Sequence, residues 1–385
     1  MLGDFGQYHH YFGHFSQYTL TFFLCDTNEN KTTIAWGNAM KNYNIALIGF
    51  GGVNRALAEI IHNNSGKMEQ ELGFSLKVVA VSDMYLGSLY QPEGIELEAL
   101  TQLPVEKGAL AALPNGKEDA DNENIIKNSN ADIVAEATFT DAVTGEPAIS
   151  HCQWALSSGK HICTTNKGPL ALSAGPLKTL AAQNQLGFEY EGVVMSGTPV
   201  LRYADQMLKG ATTNRFEGIV NGTANFVLGL VEQGQSFEQA IKQAQELGYA
   251  EADPTADIGG KDVMLKVIVL ANSLFGVHLA TQDVACVGID TLTETDIIQA
   301  QQDGFHWKLI GKASLLENGQ VEAQVAPEKL PSDHPLAGAQ GATNAVTFYT
   351  DMLGPVTVSG PGAGRIETGY ALLSDIIAIH TKTHH

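Results

Sequence analysis

"NIALIGFGGVNRALAEIIHN", residues 44–63, decides the fold. Residues 45–48 are a short, wholly apolar run, as expected of a strand covered on both faces. Gly49 and Gly51 follow at once, and Ala56, Leu57, Ile60 and Ile61 then recur at helical spacing. Strand, glycine turn and helix in this order suit a dinucleotide: glycine allows the tight turn and a close backbone approach, and a pyrophosphate rests on the helix N-terminus. A structural turn is the competing reading. The third fingerprint position holds Asn54, where glycine or alanine is usual, so the expected close helix–strand contact is weakened.

Working outward, the alternation continues. "LKVVAVSD" (76–83) reads as a second strand and "ADIVAEAT" (131–138) as a further buried one. "GEPAISHCQWALSSGKHICTTNK" (145–167) reads as helix, turn and short strand, while residues 84–130, with Pro92, Pro104 and Pro114, read as irregular. Strands alternating with helices predict an α/β fold with a Rossmann-type, doubly wound parallel sheet. The pattern then changes. "GFEYEGVV" (187–194) and "TTNRFEGIVNG" (212–222) look like strands, and "SFEQAIKQAQELG" (236–248) is a helix opened by a Ser236/Gln239 capping box and closed at Gly248. "HWKLIGKASLLENGQVEAQVAP" (306–327) reads as a hairpin turning at Asn318-Gly319, and "NAVTFYTDML" (344–353) as a strand. This half is expected to be α+β, a mixed sheet with helices laid on it.

With 385 residues, 44% of them hydrophobic, the chain can bury the cores of two domains. A formal net charge of −20 argues against nucleic acid or an anionic membrane as partner. No apolar run approaches the ~18 residues of a membrane helix. Cys25, Cys152, Cys163 and Cys286 are scattered, without the spacing of a zinc site or disulfide scaffold, so a reducing, cytoplasmic home is expected. Residues 1–39, rich in aromatics and including His9, His10 and His14, lack the basic start of a secretory signal. They are expected to be a disordered or artificially appended N-terminal extension, with Met40 as the natural start.

Several motifs carry chemistry. Asp83 ends the second strand, where an acid can accept from the adenosine ribose hydroxyls, although it lies beyond the usual ~20-residue spacing; a plain surface acid is the alternative. Met84 follows it, so no basic residue stands there to meet a 2′-phosphate, and NAD is favoured over NADP. "TTNKGP" (164–169) sets Lys167 just after a strand, at the carboxyl end where ligands bind in such sheets, or else on the solvated surface. "YEGVVMSGTPVL" (190–201) joins Glu191 to a turn of small residues whose carbonyls suit a hard monovalent cation; an ordinary turn explains it equally. "SGPGAGRIETG" (359–369) offers a second glycine-rich loop, with Gly360, Gly362 and Gly364, opening a helix. In "GYAEADPTADIGGKDVMLK" (248–266) the acids mimic a calcium loop, but Ala256 stands where glycine is needed, Pro254 stiffens the loop and Asp262 replaces the bidentate glutamate. Asp262 and Lys266, four apart, share a helix face among apolar neighbours. They form either a structural ion pair or the proton donor and carbonyl polariser of an active site.

Taken together, "GFGGVN", "TTNKGP", "EGVVMSGTP", the run "NGTANFVLGLVEQGQSFEQAIKQAQELGYAEADPTADIGGKDVMLKVIVLA" (221–271) and "GPGAG" resemble homoserine dehydrogenases in order and spacing, from about residue 40 to 380. The resemblance is to a monofunctional short form, with no aspartate kinase or regulatory domain. It implies a dinucleotide-binding domain over residues 40–175, completed by 341–380, and a substrate-binding and dimerisation domain over 176–340. It implies NAD(P)-dependent reduction of L-aspartate 4-semialdehyde to L-homoserine in a cytoplasmic homodimer. Lys167 and Lys266 match the family's catalytic lysines. Glu251, Asp262, Thr223, Tyr249 and Asp257 match positions that meet the substrate. Cofactor contacts are implied at Gly49, Phe50, Gly51, Gly52, Val53, Asn54, Asp83, Thr138, Lys167, Gly362 and Gly364. Carbonyls of Glu191, Val194, Ser196 and Thr198 match a structural Na⁺ or K⁺ site. Gly369 departs from the family pattern, where a small residue, usually alanine, follows the threonine. A different semialdehyde oxidoreductase working through an acyl-enzyme on Cys163, and a non-catalytic dinucleotide sensor, are the alternatives.

Overall fold

A computed structural model describes residues 40–384, which belong to one compact unit, residues 40–385. The expectations for residues 1–39, including the three histidines and Cys25, lie outside the described residues.

β1 (Lys41–Ile48) and β2 (Phe74–Asp83) pair in parallel, and β1 also pairs in parallel with β5 (Ile133–Glu136). β6 (His161–Thr164) and β7 (Phe188–Glu189) extend that side, again parallel. Residues read as irregular contribute two short strands, β3 (Gly87–Tyr90) and β4 (Gly116–Lys117), which add antiparallel to the β2 edge. The order is β4-β3-β2-β1-β5-β6-β7, so the chain reverses direction across the sheet at β1/β5, the switch point where such folds bind ligands. Ile45, Leu47, Ile133 and Ala135 are completely buried, as the unbroken apolar runs require.

The second sheet has six strands: β8 (Thr213–Ile219), β9 (Val284–Cys286), β10 (Phe305–Leu315), β11 (Val321–Pro331), β12 (Thr343–Thr350) and β13 (Gly354–Pro361). Its order is β13-β12-β8-β10-β11-β9, mixed because β9 alone runs parallel to its neighbour. The β10–β11 hairpin turns at Gly319, whose φ of +81° requires glycine. Helix Lys261–Phe275 covers one face, with Phe275 stacked on Phe216. A Cβ on Gly311 would come within 2.5 Å of Val267, so the close approach of sheet and helix depends on that glycine.

Two expectations need correction. Of "GFEYEGVV" only Phe188–Glu189 is strand, and a tight helical turn, Glu191–Val193, follows. Of residues 341–380, expected in the nucleotide domain, β12 and β13 pair into the second sheet; helix Arg365–His384 is the part that packs on helix Gly52–Lys67, beside the first sheet. The sequence of β12, which is buried along almost its whole length, could not show which sheet it would join.

Candidate active site

Helix Lys261–Phe275 begins at Gly260, a left-handed residue (φ +78°), which turns the acidic loop into the helix. Asp262 lies in its first turn, where the helix dipole favours an acid. One turn on, Lys266 reaches back: its Nζ is 2.7 Å from Asp262 Oδ2 and also donates to the Val220 carbonyl at 2.7 Å. Lys167 approaches the other carboxylate oxygen, at 3.4 Å. Burial would push the Asp262 carboxyl up. The Lys266 and Lys167 charges, with hydrogen bonds from Lys266 and Asn221, outweigh burial and hold it well below the usual carboxylate range.

Asn221 was not singled out from the sequence. It caps helix Gly222–Glu232, its Oδ1 accepting from Ala224 N–H at 2.8 Å. Its amide donates to Asp257 at 2.7 Å and to Asp262 at 2.9 Å, keeping the two acids apart yet in one network. The available signal was an asparagine directly between a strand and a helix, the N-cap position. Burial, and the nearby Asp262 and Glu251 charges, push the Asp257 carboxyl up despite Asn221 and Lys266. Thr223 donates to the Tyr249 carbonyl at 2.5 Å and so pins the start of the acidic loop.

The cleft around this network has a volume of about 620 Å³. Lys167, Thr223, Tyr249, Glu251, Asp257, Asp262 and Lys266 all line it, together with Phe139 and Gly362. Residues distant in sequence thus converge on one space with both signs of charge. Asp253 and Lys261 face the same cleft.

The glycine turn stands at the switch point. Gly49 has φ +76°, and a Cβ there would be 2.7 Å from the Ala137 carbonyl, so the turn packs against the loop after β5. Gly51 ends in open space, and no side chain caps helix Gly52–Lys67. Its first-turn N–H groups therefore suit a phosphate, and the residues present fit a dinucleotide. Val53 is half-buried on the first turn. Asn54, where glycine is usual, is completely buried and donates to the carbonyls of Ile48, Gly49 and Ala135 at 2.8–3.2 Å. It ties β1 to β5 instead of loosening the contact. Asp83 accepts from Phe50 N–H at 2.8 Å and from Tyr85 and Leu86 N–H at 2.8 and 3.0 Å, which places it beside the turn. Thr138 hydrogen-bonds Glu136 through its backbone and its hydroxyl. Gly362 packs so closely on Asn344 that a Cβ would fall 2.0 Å from it, and Gly364 has φ +137°.

The Glu191–Thr198 turn contains two consecutive left-handed residues, Met195 (φ +59°) and Ser196 (φ +53°). Such conformations persist only where the surroundings enforce them. The Glu191 carboxylate accepts from Leu201 and Arg202 N–H at 2.7 and 2.9 Å, and Thr198 donates to the Pro361 carbonyl at 2.9 Å. Cys163 is completely buried in β6, and burial pushes its thiol well up, unlike a reactive nucleophile. Among the described residues no cluster of three or more His, Cys, Asp or Glu is arranged to hold a metal ion, and no helix is long and apolar enough to cross a membrane.

Comparison with known proteins converges on one family. A family model described as homoserine dehydrogenase matches residues 199–377. An NAD(+)-dependent homoserine dehydrogenase of Pseudomonas canavaninivorans is 56% identical over 341 residues, covering 89% of this chain and 97% of that protein. A homoserine dehydrogenase of Methanocaldococcus jannaschii is 34% identical, covering 88% and 99% of the two chains. Among solved structures, a hyperthermophilic archaeal homoserine dehydrogenase in complex with NADPH superposes with a TM-score of 0.75 at 28% identity, covering 89% of this chain and 98% of that one.

Proposed function

The chain belongs to the homoserine dehydrogenase family, and from that premise we propose how its residues divide the work of reducing L-aspartate 4-semialdehyde to L-homoserine. A bound nicotinamide dinucleotide supplies the hydride and takes it back in the reverse direction. Asp262, held between two lysine ammoniums in a cleft bordered by Phe139 and Lys167, is the observation that carries the assignment. As hydride reaches the carbonyl carbon, charge develops on the oxygen, and an ammonium close by stabilises it and passes a proton. Lys167 is assigned as that donor. Its side chain is 22% exposed against 11% for Lys266, and its one ion-pair contact is the longer. Lys266, fixed by Asp262 and Val220, steadies the carboxylate. Glu251, which is exposed, and Asp257 suit the substrate ammonium, and Thr223 and Tyr249 line the same cleft.

Cofactor contacts are assigned to Gly49, Phe50, Gly51, Gly52, Val53, Asn54, Asp83, Thr138, Lys167, Gly362 and Gly364. We assign NAD as the preferred partner. Asp83 ends β2 beside the turn, Met84 follows it, and Arg55 commits its guanidinium to the Phe50 and Leu103 carbonyls at 3.2 and 2.6 Å. The Pseudomonas relative is named NAD(+)-dependent, which supports the same choice. A monovalent cation, Na⁺ or K⁺, is assigned to the carbonyls of Glu191, Val194, Ser196 and Thr198, supported by the all-oxygen donor set and the enforced turn at Met195 and Ser196. The nucleotide domain is assigned to residues 40–175 with the C-terminal helix, and the substrate and dimer domain to the second sheet. A homodimer in the cytoplasm is the proposed state, and the unbridged Cys152, Cys163 and Cys286 accord with a reducing compartment.

The test is oxidation of NADH and NADPH with aspartate semialdehyde, and the reverse with homoserine. Turnover with a higher kcat/KM for NADH is expected. No turnover with either cofactor overturns the assignment, and a preference for NADPH overturns the cofactor choice alone.

A further inference from the structure

A chain of buried polar side chains lies at the carboxyl ends of the first sheet's strands, and the roles above leave it unused. It starts at Ser82, which accepts from Asp121 N–H at 2.9 Å and gives its own hydrogen to Asn122 Oδ1 at 2.5 Å. That contact orients the Asn122 amide, whose nitrogen faces His151 Nε2 at 3.0 Å. An amide nitrogen donates, so Nε2 accepts and the ring hydrogen sits on Nδ1. Nδ1 lies 3.5 Å from Glu136 Oε1, and no hydrogen bond claims it. His151 is 1% exposed and Glu136 is completely buried at the end of β5.

The hydrogen bonds of the Glu136 carboxylate go to the two strand-end loops that lead to the cleft. Oε1 accepts from Thr138 N–H at 3.0 Å and from the Thr138 hydroxyl. Oε2 accepts from the Thr164 hydroxyl at 2.7 Å. Thr164 in turn accepts from Asn166 N–H at 3.0 Å. Asn166 caps the turn that begins at Lys167, accepting from Gly168 N–H at 3.0 Å, and its amide donates to the Phe139 carbonyl at 2.8 Å. One carboxylate therefore holds both strand-end loops, the one carrying Thr138 and the one carrying Lys167.

A buried carboxylate is costly unless its acceptor sites are filled, and here Thr138 and Thr164 fill them from two segments. Such a hub has little freedom to shift without moving both loops. We propose that Glu136 is a positioning residue for the reaction, holding Thr138 directly and Lys167 through Thr164 and Asn166, with the His151 ring lying behind its carboxylate. The proposal rests on the assignment of Thr138 and Lys167 made above.

Thr164→Val keeps the shape of the side chain and removes the hydroxyl that links Glu136 to the Lys167 loop. It is expected to lower kcat by about 100-fold, the cost of a small misplacement of a reacting group, with NADH affinity by fluorescence titration little changed. Thr164→Ser, which keeps the hydroxyl, should recover most of that loss. Glu136→Gln disturbs both arms and is expected to lower kcat and weaken NADH binding together. Wild-type kcat in Thr164→Val, or an equal loss in Thr164→Ser, overturns the proposal, as does a lowered melting temperature with kcat intact. If Glu136→Gln fails to fold, the Thr164 pair decides alone. Lys167→Ala run in parallel separates the two levels. Full turnover there refutes the assignment of Lys167, whereas a slow Lys167→Ala beside a fast Thr164→Val refutes only the role of Glu136.

Discussion

At the scale of single residues, the electrostatics of Asp262 make the sharpest claims. Its carboxyl is held low in the folded chain, so folding favours the ionised form. The unfolded chain then binds more protons at acid pH, and stability falls as pH drops. The contribution of this pair is complete at neutral pH and is expected to decline as pH falls below about 4, the ordinary aspartate value. Chemical denaturation of wild type and Asp262→Asn across pH 3–7 checks this. The difference between the two should shrink toward acid, and a constant difference contradicts it. The lysines separate kinetically. Lys167→Ala should lower kcat by about 100-fold or more, the usual contribution of a general acid, with the fold intact by circular dichroism. Lys266→Ala leaves the Asp262 carboxylate with the Asn221 amide and one cation, Lys167 at 3.4 Å, so it should raise KM as well as lower kcat. If Lys266→Ala lowers kcat far more than Lys167→Ala, the donor is Lys266. The pairing of Asp262 with Lys266 was legible in the sequence because helical spacing is local. The approach of Lys167 was not, because a contact across 95 positions leaves no periodic trace. Asn221 was missed for a related reason: as a cap it is legible, but its bonds to two acids exist only after folding.

At the scale of elements, the strand–turn–helix unit that announced the fold is also where one local rule fails. Asn54 replaces a small residue, yet its amide bridges β1 and β5 across the switch point. Removing it takes away the two amide hydrogens that the carbonyls of Ile48, Gly49 and Ala135 share, although the Ile48 carbonyl keeps the Ala137 N–H at 2.9 Å. Asn54→Ala is therefore expected to cost about 2 kcal/mol of stability, from two donor hydrogens at net values near 1 kcal/mol each, read by urea denaturation. Asn54 Oδ1 is itself unpartnered, so a stability unchanged by the substitution would mean that its burial cancels the amide's bonds. Gly49→Ala should act on the cofactor instead: a Cβ 2.7 Å from the Ala137 carbonyl, at φ +76°, forces the turn out of shape. NADH affinity should fall by more than tenfold, roughly the effect of 1.4 kcal/mol, and retained affinity would contradict the placement of the cofactor there. The parallel strands were legible because burial on both faces makes them continuously apolar. β3 and β4 were not, because four- and two-residue strands carry no period and owe their existence to the edge of β2. Gly87 shows that dependence: its missing Cβ, at φ +97°, lets the Lys117 carbonyl approach where a side chain would sit 2.1 Å away.

At the scale of the whole molecule, the second sheet raises a question that the active site does not. Phe216, Gly311 and Val346 face helix Lys261–Phe275 and the core around it, whereas Arg215, Glu217, Tyr349 and Thr357 belong to the opposite face. Toward one end of that face Ile219, Ile310, Leu330 and Ala345 pack with Leu336, Ala337 and Ala339, and beside this cluster the face is polar and highly ordered. Glu217 pairs with Arg215 at 2.5 Å and His334 at 3.1 Å and accepts from Tyr349, whose hydroxyl is pushed up to about 12 by burial and by that carboxylate. A sheet face covered in part by residues 336–339 and elsewhere locked into a charge network suits a partner surface that also needs fixed polar groups, and a second copy is the proposed one. Two chains of formal charge −20 repel each other, so association must overcome a long-range term that salt screens within about 10 Å at 0.1 M. Sedimentation velocity at micromolar concentration should therefore give twice the chain mass at physiological ionic strength, with dissociation appearing first as salt is lowered. A monomer at physiological salt would remove the dimer. A dimer strengthened by low salt would instead show that opposite charges face one another across the contact and dominate over the net repulsion.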